Sequence, residues 1–175
     1  PRVATVKGIV DAALAEAAII GNTPVGSVTD DISRAFLGGT EDRGSESTIG
    51  NLVANSLVSS LGSADRGGAE LGIVNPGGLR ADLLYGADGV ITYAEANSVL
   101  PFLNNLWTTT LTGAQFKLVL EQQWQRTIDG VPFTSGRTFL NLGLSDNVTY
   151  TYDPNRAMDD RVTGIFIDGQ PIDLA

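Results

Sequence analysis

The feature that most constrains the fold is a short apolar stretch that ends abruptly in a proline and two glycines. Residues 71–74 have the composition of a buried strand. Asn75 and Pro76 end this strand, because proline has no N–H to donate to a strand ladder. Gly77 and Gly78 lack a Cβ atom, so their backbone can adopt unusual angles and approach a ligand closely. The stretch therefore predicts a strand that runs into a tight, ligand-accessible turn.

Two arginines beside glycine-rich loops are candidate anion-binding residues. Arg80 follows the glycine turn and presents a planar fork of donors suited to phosphate or carboxylate, next to the amide of Asn75. Arg43 lies in the polar loop 38–47, which leads into a predicted helix whose N-terminus favours anions. The alternative for both is an ordinary solvated loop arginine, since short glycine motifs also occur by chance and Arg43 has acidic neighbours.

The composition excludes several classes of function. The chain has 175 residues, 42% of them hydrophobic, which suits one globular domain with a real core. It contains no histidine and no cysteine, so histidine metal sites, serine–histidine triads, thiolate chemistry and disulfides are all excluded. The net charge of −9 argues against a nucleic-acid polymer as a partner. No apolar run approaches the roughly 18 residues that a transmembrane helix needs.

Helical and strand patterns are mixed along the chain without regular alternation, which predicts an α+β fold in which a mixed sheet packs with a few helices. The first helix is expected to be amphipathic, Ser47 or Thr48 to cap the second, Thr112 to cap the fourth, and Asp168-Gly169 to form a hairpin turn. The predicted helices are residues 3–20, 49–61, 94–100 and 113–126, and the predicted strands are 71–74, 90–93, 106–111, 139–144, 148–152 and 162–167.

Four motifs in this order resemble the C-terminal, substrate-binding domain of the 5′-nucleotidase family. The resemblance covers roughly residues 40–175, and the later Tyr-Thr-Tyr-Asp and Asp-Gly-Gln-Pro-Ile-Asp stretches continue it. Residues 1–22 resemble the helix that links the two domains of such enzymes, which leaves 23–175 as the substrate-binding domain. The four motifs are Glu-Ser-Thr-Ile-Gly-Asn-Leu-Val-Ala (46–54), Val-Asn-Pro-Gly-Gly-Leu-Arg (74–80), Val-Leu-Pro-Phe-Leu-Asn (99–104) and Leu-Thr-Gly-Ala-Gln-Phe-Lys (111–117).

The resemblance implies a division of labour between two domains. In such enzymes an N-terminal metallophosphoesterase domain holds two divalent metal ions and hydrolyses the phosphoester, while the C-terminal domain grips the nucleotide. By position, Asn75 and Arg80 are expected to contact the substrate, and Gly77 and Gly78 to form the loop of close approach. Phe102 is expected to be one face of an aromatic clamp on the base, a contact worth roughly 1–3 kcal/mol. The alternative for Phe102 is an ordinary core position.

Three departures from the family pattern limit this transfer of roles. Pro76 replaces the first glycine of the family loop, and Ser45 occupies the position of a family arginine, so Arg43 is only a candidate replacement. The strand and aromatic loop that end the family domain are not found, so the domain is expected to be truncated, with an unpaired sheet edge. The family's metal-binding motifs are also absent, so we expect no catalytic or metal-ligating residue on this chain and no hydrolysis by it alone.

The resemblance therefore implies the nucleotide-recognition domain of a 5′-nucleotidase-like hydrolase that is extracellular, periplasmic or associated with the cell wall, as such enzymes are usually exported. The expected partners are a nucleotide or related phosphoester and the N-terminal domain of the same protein. Two alternatives stay open at this point. The parent enzyme could hydrolyse nucleotide sugars or cyclic nucleotides, or the chain could be a non-enzymatic binding or interaction module with the same fold.

Overall fold

The computed structural model describes residues 3–174 and has the expected α+β composition, with strands in four small antiparallel sheets. The chain divides into two compact units, each made of two stretches of sequence. Unit 1 consists of Pro1–Ser33 and Arg80–Leu103, and unit 2 consists of Arg34–Leu79 and Asn104–Ala175. The helices are α1 (Ala4–Gly21), α2 (Thr48–Leu61), α3 (Tyr93–Val99) and α4 (Gly113–Glu121), and the strands are β1 (Pro24–Ser27), β2 (Phe36–Leu37), β3 (Thr40–Glu41), β4 (Ile73–Val74), β5 (Val90–Thr92), β6 (Gly143–Leu144), β7 (Val148–Tyr152), β8 (Val162–Ile167) and β9 (Gln170–Pro171).

Unit 1 combines one long helix with a small two-stranded sheet. β1 pairs with β5 in antiparallel register, and α3 follows β5 directly. α3 begins with a capping box, in which Thr92 and Glu95 each accept a backbone N–H of the other. Ile91 of β5 and Val99 of α3 are both buried. This arrangement places Phe102, which follows α3, beside Arg80, the first residue of the second segment of unit 1.

The predicted first helix is confirmed as α1, but its apolar side chains are not buried. None of the described side chains on α1 is buried, and its large apolar residues are exposed along the whole helix. Near its end the helix approaches α3, where a Cβ atom on Gly21 would lie 3.3 Å from the Cβ of Ala94. The spacing of apolar residues indicated a helix correctly, but it does not show that a partner surface is present in this unit.

Unit 2 is built around α4 and the three-stranded sheet β7–β8–β9. The strands run antiparallel, and the turn at Asp168-Gly169 has positive φ at both residues (50° and 74°), which confirms the hairpin turn predicted from the Asp-Gly pair. The core is closed by six buried side chains that come from α4, β6, β7 and β8, namely Phe116, Leu120, Leu144, Val148, Val162 and Ile165.

The fourth helix begins as predicted but ends about one turn early. Thr112 caps α4 and forms a capping box with Gln115. The helix ends at Glu121 because Gln123, 2% exposed, caps it from inside: its Nε2 donates to the carbonyl of Leu120 (3.0 Å) and its Oε1 accepts the N–H of Leu142 (2.9 Å). The predicted continuation of the helix to residue 126 is therefore wrong, because the side chain of Gln123, and not a further helical turn, bonds the carbonyl of Leu120.

Two predicted strands differ from the structure. Residues 106–111 are not a strand: they are assigned no ladder partner within residues 3–174. Of residues 139–144 only β6 pairs with β4, while Phe139 makes a single bridge to Trp124. In both cases the apolar pattern indicated strand character, but pairing depends on a partner distant in sequence, which a local pattern does not specify.

Candidate functional site

The turn after β4 is tight and stabilised by its own asparagine. Asn75 accepts the N–H of Gly77 with its side-chain Oδ1 (3.0 Å), and its carbonyl accepts the N–H of Gly78 (2.9 Å). Pro76 is buried and starts a short 3₁₀ helix, Pro76–Gly78. Neither Gly77 nor Gly78 has a positive φ, so this turn does not use the unusual backbone angles that glycine permits. The glycines matter here for the space that they leave.

Arg43 lies directly beside this turn. A Cβ atom on Gly77 would lie 3.5 Å from Nη1 of Arg43 and 3.4 Å from Oδ1 of Asn75, whereas a Cβ on Gly78 would meet nothing within 4 Å. The structure thus brings Arg43, Asn75 and Gly77 of unit 2 together, with Gly78 opening onto free space. Any larger side chain at residue 77 would contact the guanidinium and the amide.

A carboxylate fixes the orientation of Arg43. Its Nε donates to Oε1 of Glu41 (3.0 Å) and its Nη2 donates to Oε2 (3.3 Å), a bidentate contact along one edge of the guanidinium. The Arg43 side chain is only 16% exposed, and its carbonyl accepts the N–H of Asn141 (2.8 Å). The Nη1 edge of the guanidinium is consequently left facing Gly77.

Two further arginines surround the same carboxylate. Nη1 of Arg34 lies 3.9 Å from Oε1 of Glu41, and its guanidinium stacks 5.5 Å from the ring centroid of Phe36. The pKa of Glu41 is lowered, first by the hydrogen bond from Arg43 and then by the positive charges of Arg43, Arg34 and Arg137. Three of these residues, Glu41, Arg34 and Arg137, were not predicted from the sequence as site residues. The Glu-x-Arg spacing is the one local signal, because side chains two residues apart on an extended segment lie on the same face.

The loop between Arg43 and α2 is held by a second carboxylate that plays a separate role. Asp42 accepts the hydroxyl of Ser45 (2.6 Å) and the N–H of Gly44 (2.9 Å), and these hydrogen bonds, that of Ser45 first, lower the pKa of Asp42. Ser47 then caps α2, as expected, by accepting the N–H of Gly50. Ser45, at the position of the family arginine, is thus a structural residue of this loop.

Arg80 and Phe102 are brought together in unit 1. The Arg80 guanidinium carbon lies 5.9 Å from the centroid of the Phe102 ring, a cation–π contact, and the N–H of Arg80 donates to the carbonyl of Val99 (2.9 Å). Phe102 is 57% exposed, so it is not the core residue of the alternative interpretation. The six predicted site residues therefore form two groups, one in each unit: Asn75, Gly77, Gly78 and Arg43 in unit 2, and Arg80 and Phe102 in unit 1.

In the part of the chain that the structure describes, no three or more acidic side chains are grouped so that they could hold a metal ion, and the sequence has no histidine or cysteine. None of the described helices is both long and apolar enough to cross a membrane.

The fold is that of hydrolases whose structures are known. The chain aligns with a 5′-nucleotidase precursor from Thermus thermophilus with a TM-score of 0.59 and 23% identity, over 94% of this chain and 30% of that one. It aligns with the sulfate thiohydrolase SoxB, also from Thermus thermophilus, with a TM-score of 0.68 and 21% identity, over 99% of this chain and 29% of that one. At these identities the likeness establishes the fold alone.

The sequence places the chain in a family. Residues 20–175 match the family described as 5′-nucleotidase, C-terminal domain, and the chain belongs to it. It is 33% identical over 126 residues to the trifunctional nucleotide phosphoesterase protein YfkN of Bacillus subtilis, over 72% of this chain and 8% of that protein. It is 36% identical over 93 residues to the NAD 5′-nucleotidase of Haemophilus influenzae, over 53% of this chain and 14% of that protein. The relatives are nucleotidases and phosphoesterases, so the family is hydrolytic, and the match spans only a small part of each.

Proposed function

We propose that this chain is the nucleotide-recognition domain of a 5′-nucleotidase-family hydrolase, and that Arg43 and the turn at residues 75–78 receive the phosphate group. One observation carries this proposal: Arg43 is locked by Glu41 with its Nη1 edge toward Gly77 and the Asn75 amide. Family membership and the names of the relatives support the assignment to nucleotides.

The donors left at the turn suit an oxyanion. A guanidinium has five N–H donors, and Glu41 accepts from only one edge of the group, so the terminal fork can still donate to a second anion. The Oδ1 of Asn75 is engaged by Gly77, which leaves its Nδ2 as a donor on the same side of the turn. Gly78 adds no side chain that would fill the space beside them. Two neighbouring donor groups and an open glycine make a small oxyanion cradle.

The local charge favours an anion although the whole chain is acidic. The net charge of −9 repels anionic ligands in general, but three arginines act on the single carboxylate of Glu41. Glu41 stays ionised because these arginines lower its pKa, with the hydrogen bond from Arg43 as the largest cause. Ionic screening is weak at this short range, so the arginine charges can act on a bound anion as they act on Glu41.

Arg80 and Phe102 of unit 1 form a second, separate group of proposed nucleotide contacts. The exposed Phe102 ring has two faces, and Arg80 covers one of them. The other face can stack on a nucleobase, which aromatic rings do with little preference among bases. Arg80 carries a charge that can act on a phosphate and also holds the ring in place.

Hydrolysis itself is assigned to residues outside this chain. We propose that an N-terminal metallophosphoesterase domain of the parent protein supplies two divalent metal ions and the chemistry, that the described chain alone hydrolyses nothing, and that the parent enzyme works outside the cytoplasm. In that division of labour this chain selects the ligand, orients its phosphate through Arg43, and contributes no proton transfer.

Calorimetric titration of the chain with inorganic phosphate, adenosine and adenosine monophosphate tests this proposal. We expect the monophosphate to bind more tightly than either fragment, and Arg43→Ala to reduce binding of both phosphate-bearing ligands. Arg156→Ala is the matched control, because Arg156 is also held by one carboxylate, that of Asp160, in the same unit. If Arg43→Ala leaves binding unchanged, the phosphate group binds at another site. If none of the three ligands binds, the result favours the alternative of a non-enzymatic binding or interaction module.

A further inference from the structure

The β2–β3 hairpin of unit 2 carries the carboxylate that holds Arg43. Its strands are joined by Gly38 and Gly39, whose φ angles are both positive (59° and 81°), as two-residue hairpin turns require. Phe36 lies directly opposite Glu41 in this ladder. Side chains of directly opposite residues point to the same face, with Cβ atoms about 5 Å apart. The Phe36 ring and the Glu41 carboxylate therefore share one face of the hairpin.

Arg34 lies on the same face of this hairpin. The N–H of Asp42 donates to the carbonyl of Ala35 (2.9 Å), which continues the pairing by one residue beyond the two strands. The guanidinium carbon of Arg34 lies 5.5 Å from the centroid of the Phe36 ring, which is a cation–π contact. Nη1 of Arg34 lies 3.9 Å from Oε1 of Glu41. Arg34 thus contacts both the ring and the carboxylate.

Glu41 connects this pair to the proposed phosphate contact. The Oε1 atom that lies near Arg34 also accepts the Nε–H of Arg43 (3.0 Å), and Oε2 accepts from Nη2 of Arg43 (3.3 Å). The pKa of Glu41 is lowered first by the hydrogen bond from Arg43, and the charge of Arg34 adds to this effect. All three side chains are mostly buried, so water competes little for these contacts.

We propose that Phe36 and Arg34 are positioning residues that hold the Glu41 carboxylate in place. The ring orients the guanidinium of Arg34, this guanidinium orients the carboxylate, and the carboxylate fixes Arg43. The inference rests on the proposed function, in which Arg43 receives the phosphate group. A cation–π contact depends on the charge distribution of the ring, so tryptophan makes a stronger one than phenylalanine and leucine makes none. Phosphate affinity should therefore depend on an aromatic ring at residue 36, although that ring does not contact the phosphate.

Calorimetric titration with inorganic phosphate tests the proposal on two variants of the ring. Phe36→Leu keeps an apolar side chain but removes the ring, and it should weaken phosphate binding about threefold, the size of one partly exposed cation–π contact. Phe36→Trp keeps a ring, and it should leave the binding unchanged or slightly tighter. A side chain that serves only for packing would tolerate leucine better than the larger tryptophan, so the two roles predict opposite orders. Both variants should fold, because Phe36 is about half exposed.

A double variant tests whether the ring acts through Glu41. In a Glu41→Gln background, Phe36→Leu should lower the phosphate affinity no further, whereas two independent contributions would add. Arg161→Gln is the matched control, because it removes an arginine that lies over another aromatic ring of unit 2, that of Trp124 (5.2 Å). It should leave the phosphate affinity unchanged. If Phe36→Leu is equally harmful in the wild type and in Glu41→Gln, the ring does not act through the carboxylate and the proposal is wrong.

Hydrogen exchange at Nε of Arg43 gives a second measurement that needs no ligand. This N–H is bonded to Glu41, and its NMR signal is identified by its loss in Arg43→Lys. Its exchange should become severalfold faster in Phe36→Leu and stay unchanged in Phe36→Trp and Arg161→Gln.

The two measurements together decide the proposal. It is overturned if Phe36→Leu leaves either the exchange rate or the phosphate affinity unchanged, or if Phe36→Trp changes both as much as Phe36→Leu does. If the wild-type chain binds no phosphate, the proposed function fails. The exchange rates then still decide whether the ring positions Arg43.

Discussion

Arg43 and Arg80 are both candidate phosphate contacts, but different forces hold them. Arg43 is 16% exposed and is fixed by two hydrogen bonds to Glu41 in unit 2. Arg80 is exposed and is placed by a cation–π contact with the half-exposed ring of Phe102 in unit 1. A fixed guanidinium has already lost its side-chain entropy before a ligand arrives, whereas a loosely stacked one loses it on binding. The two arginines should therefore contribute unequally to affinity.

The largest expected effect comes from removing the fixed arginine. Arg43→Ala should weaken binding of adenosine monophosphate about a hundredfold and Arg80→Ala about tenfold, the two ends of the range for a charge-assisted hydrogen bond. Both losses should be the same for any base, because each arginine acts on the anion. Calorimetry on each variant measures them, and a larger loss with Arg80→Ala would reverse the ranking.

Phe102→Ala separates the base contact from the phosphate contact. We expect about a tenfold loss of affinity for the nucleotide and no loss for inorganic phosphate, since ring–base stacking is worth roughly 1–3 kcal/mol. The melting temperature should change little, because Phe102 is 57% exposed, while a core phenylalanine would cost roughly 3–5 kcal/mol. Equal losses on the two ligands, or a large drop in melting temperature, would show that Phe102 is not a base contact.

Variants of the neighbouring carboxylates Glu41 and Asp42 test whether Glu41 must hold Arg43 in place for phosphate to bind. Glu41→Gln removes a negative charge from the site, yet it should weaken phosphate binding severalfold because Arg43 loses its bidentate partner. Asp42→Asn removes a charge of the same sign from a residue that is bonded to Ser45 and Gly44. It should leave the affinity unchanged or slightly higher. If both variants bind phosphate more tightly, Glu41 acts only as an opposing charge and does not position Arg43.

The smallest effect is a pH dependence of stability. The pKa of Glu41 is lowered in the folded chain, so its ionised form stabilises the fold above the unfolded pKa of about 4.5. This contribution is lost as the pH falls through the lower, folded pKa. The difference in melting temperature between the wild type and Glu41→Gln should therefore shrink below about pH 4.5. A difference that stays constant down to about pH 3 would mean that the ion pair does not stabilise the fold.

Features that depend on adjacent residues were predictable from the sequence. The caps at Ser47 and Thr112 and the Asp168-Gly169 turn each follow from the chemistry of two to four neighbouring residues, and the structure has all of them. The turn at Asn75 was also recognisable, although its glycines serve to leave space and do not adopt unusual angles.

Features that depend on distant residues were not predictable. The early end of α4 depends on Gln123 reaching Leu142, and the expected strand at 106–111 has no described partner. Part of the candidate anion site was also missed, because Arg34 reaches Glu41 across the β2–β3 hairpin and Arg137 acts on it only in the folded chain. No sequence motif marks an arginine whose role depends on a carboxylate that is brought near by folding.

The exposure of α1 affects how fast its amide hydrogens exchange and how fast a protease cuts it. An isolated helix of 18 residues is marginal in water, since nucleation is costly and tertiary packing normally supplies most of its stability. Because none of its described side chains is buried and Gly21 lies close to α3, α1 should unwind from its start far more often than the rest of unit 1 unfolds. Its amide hydrogens should then exchange in a gradient, fastest near Ala4 and slowest near Gly21. A protease should cut this helix first and leave the capped helices α2, α3 and α4 intact.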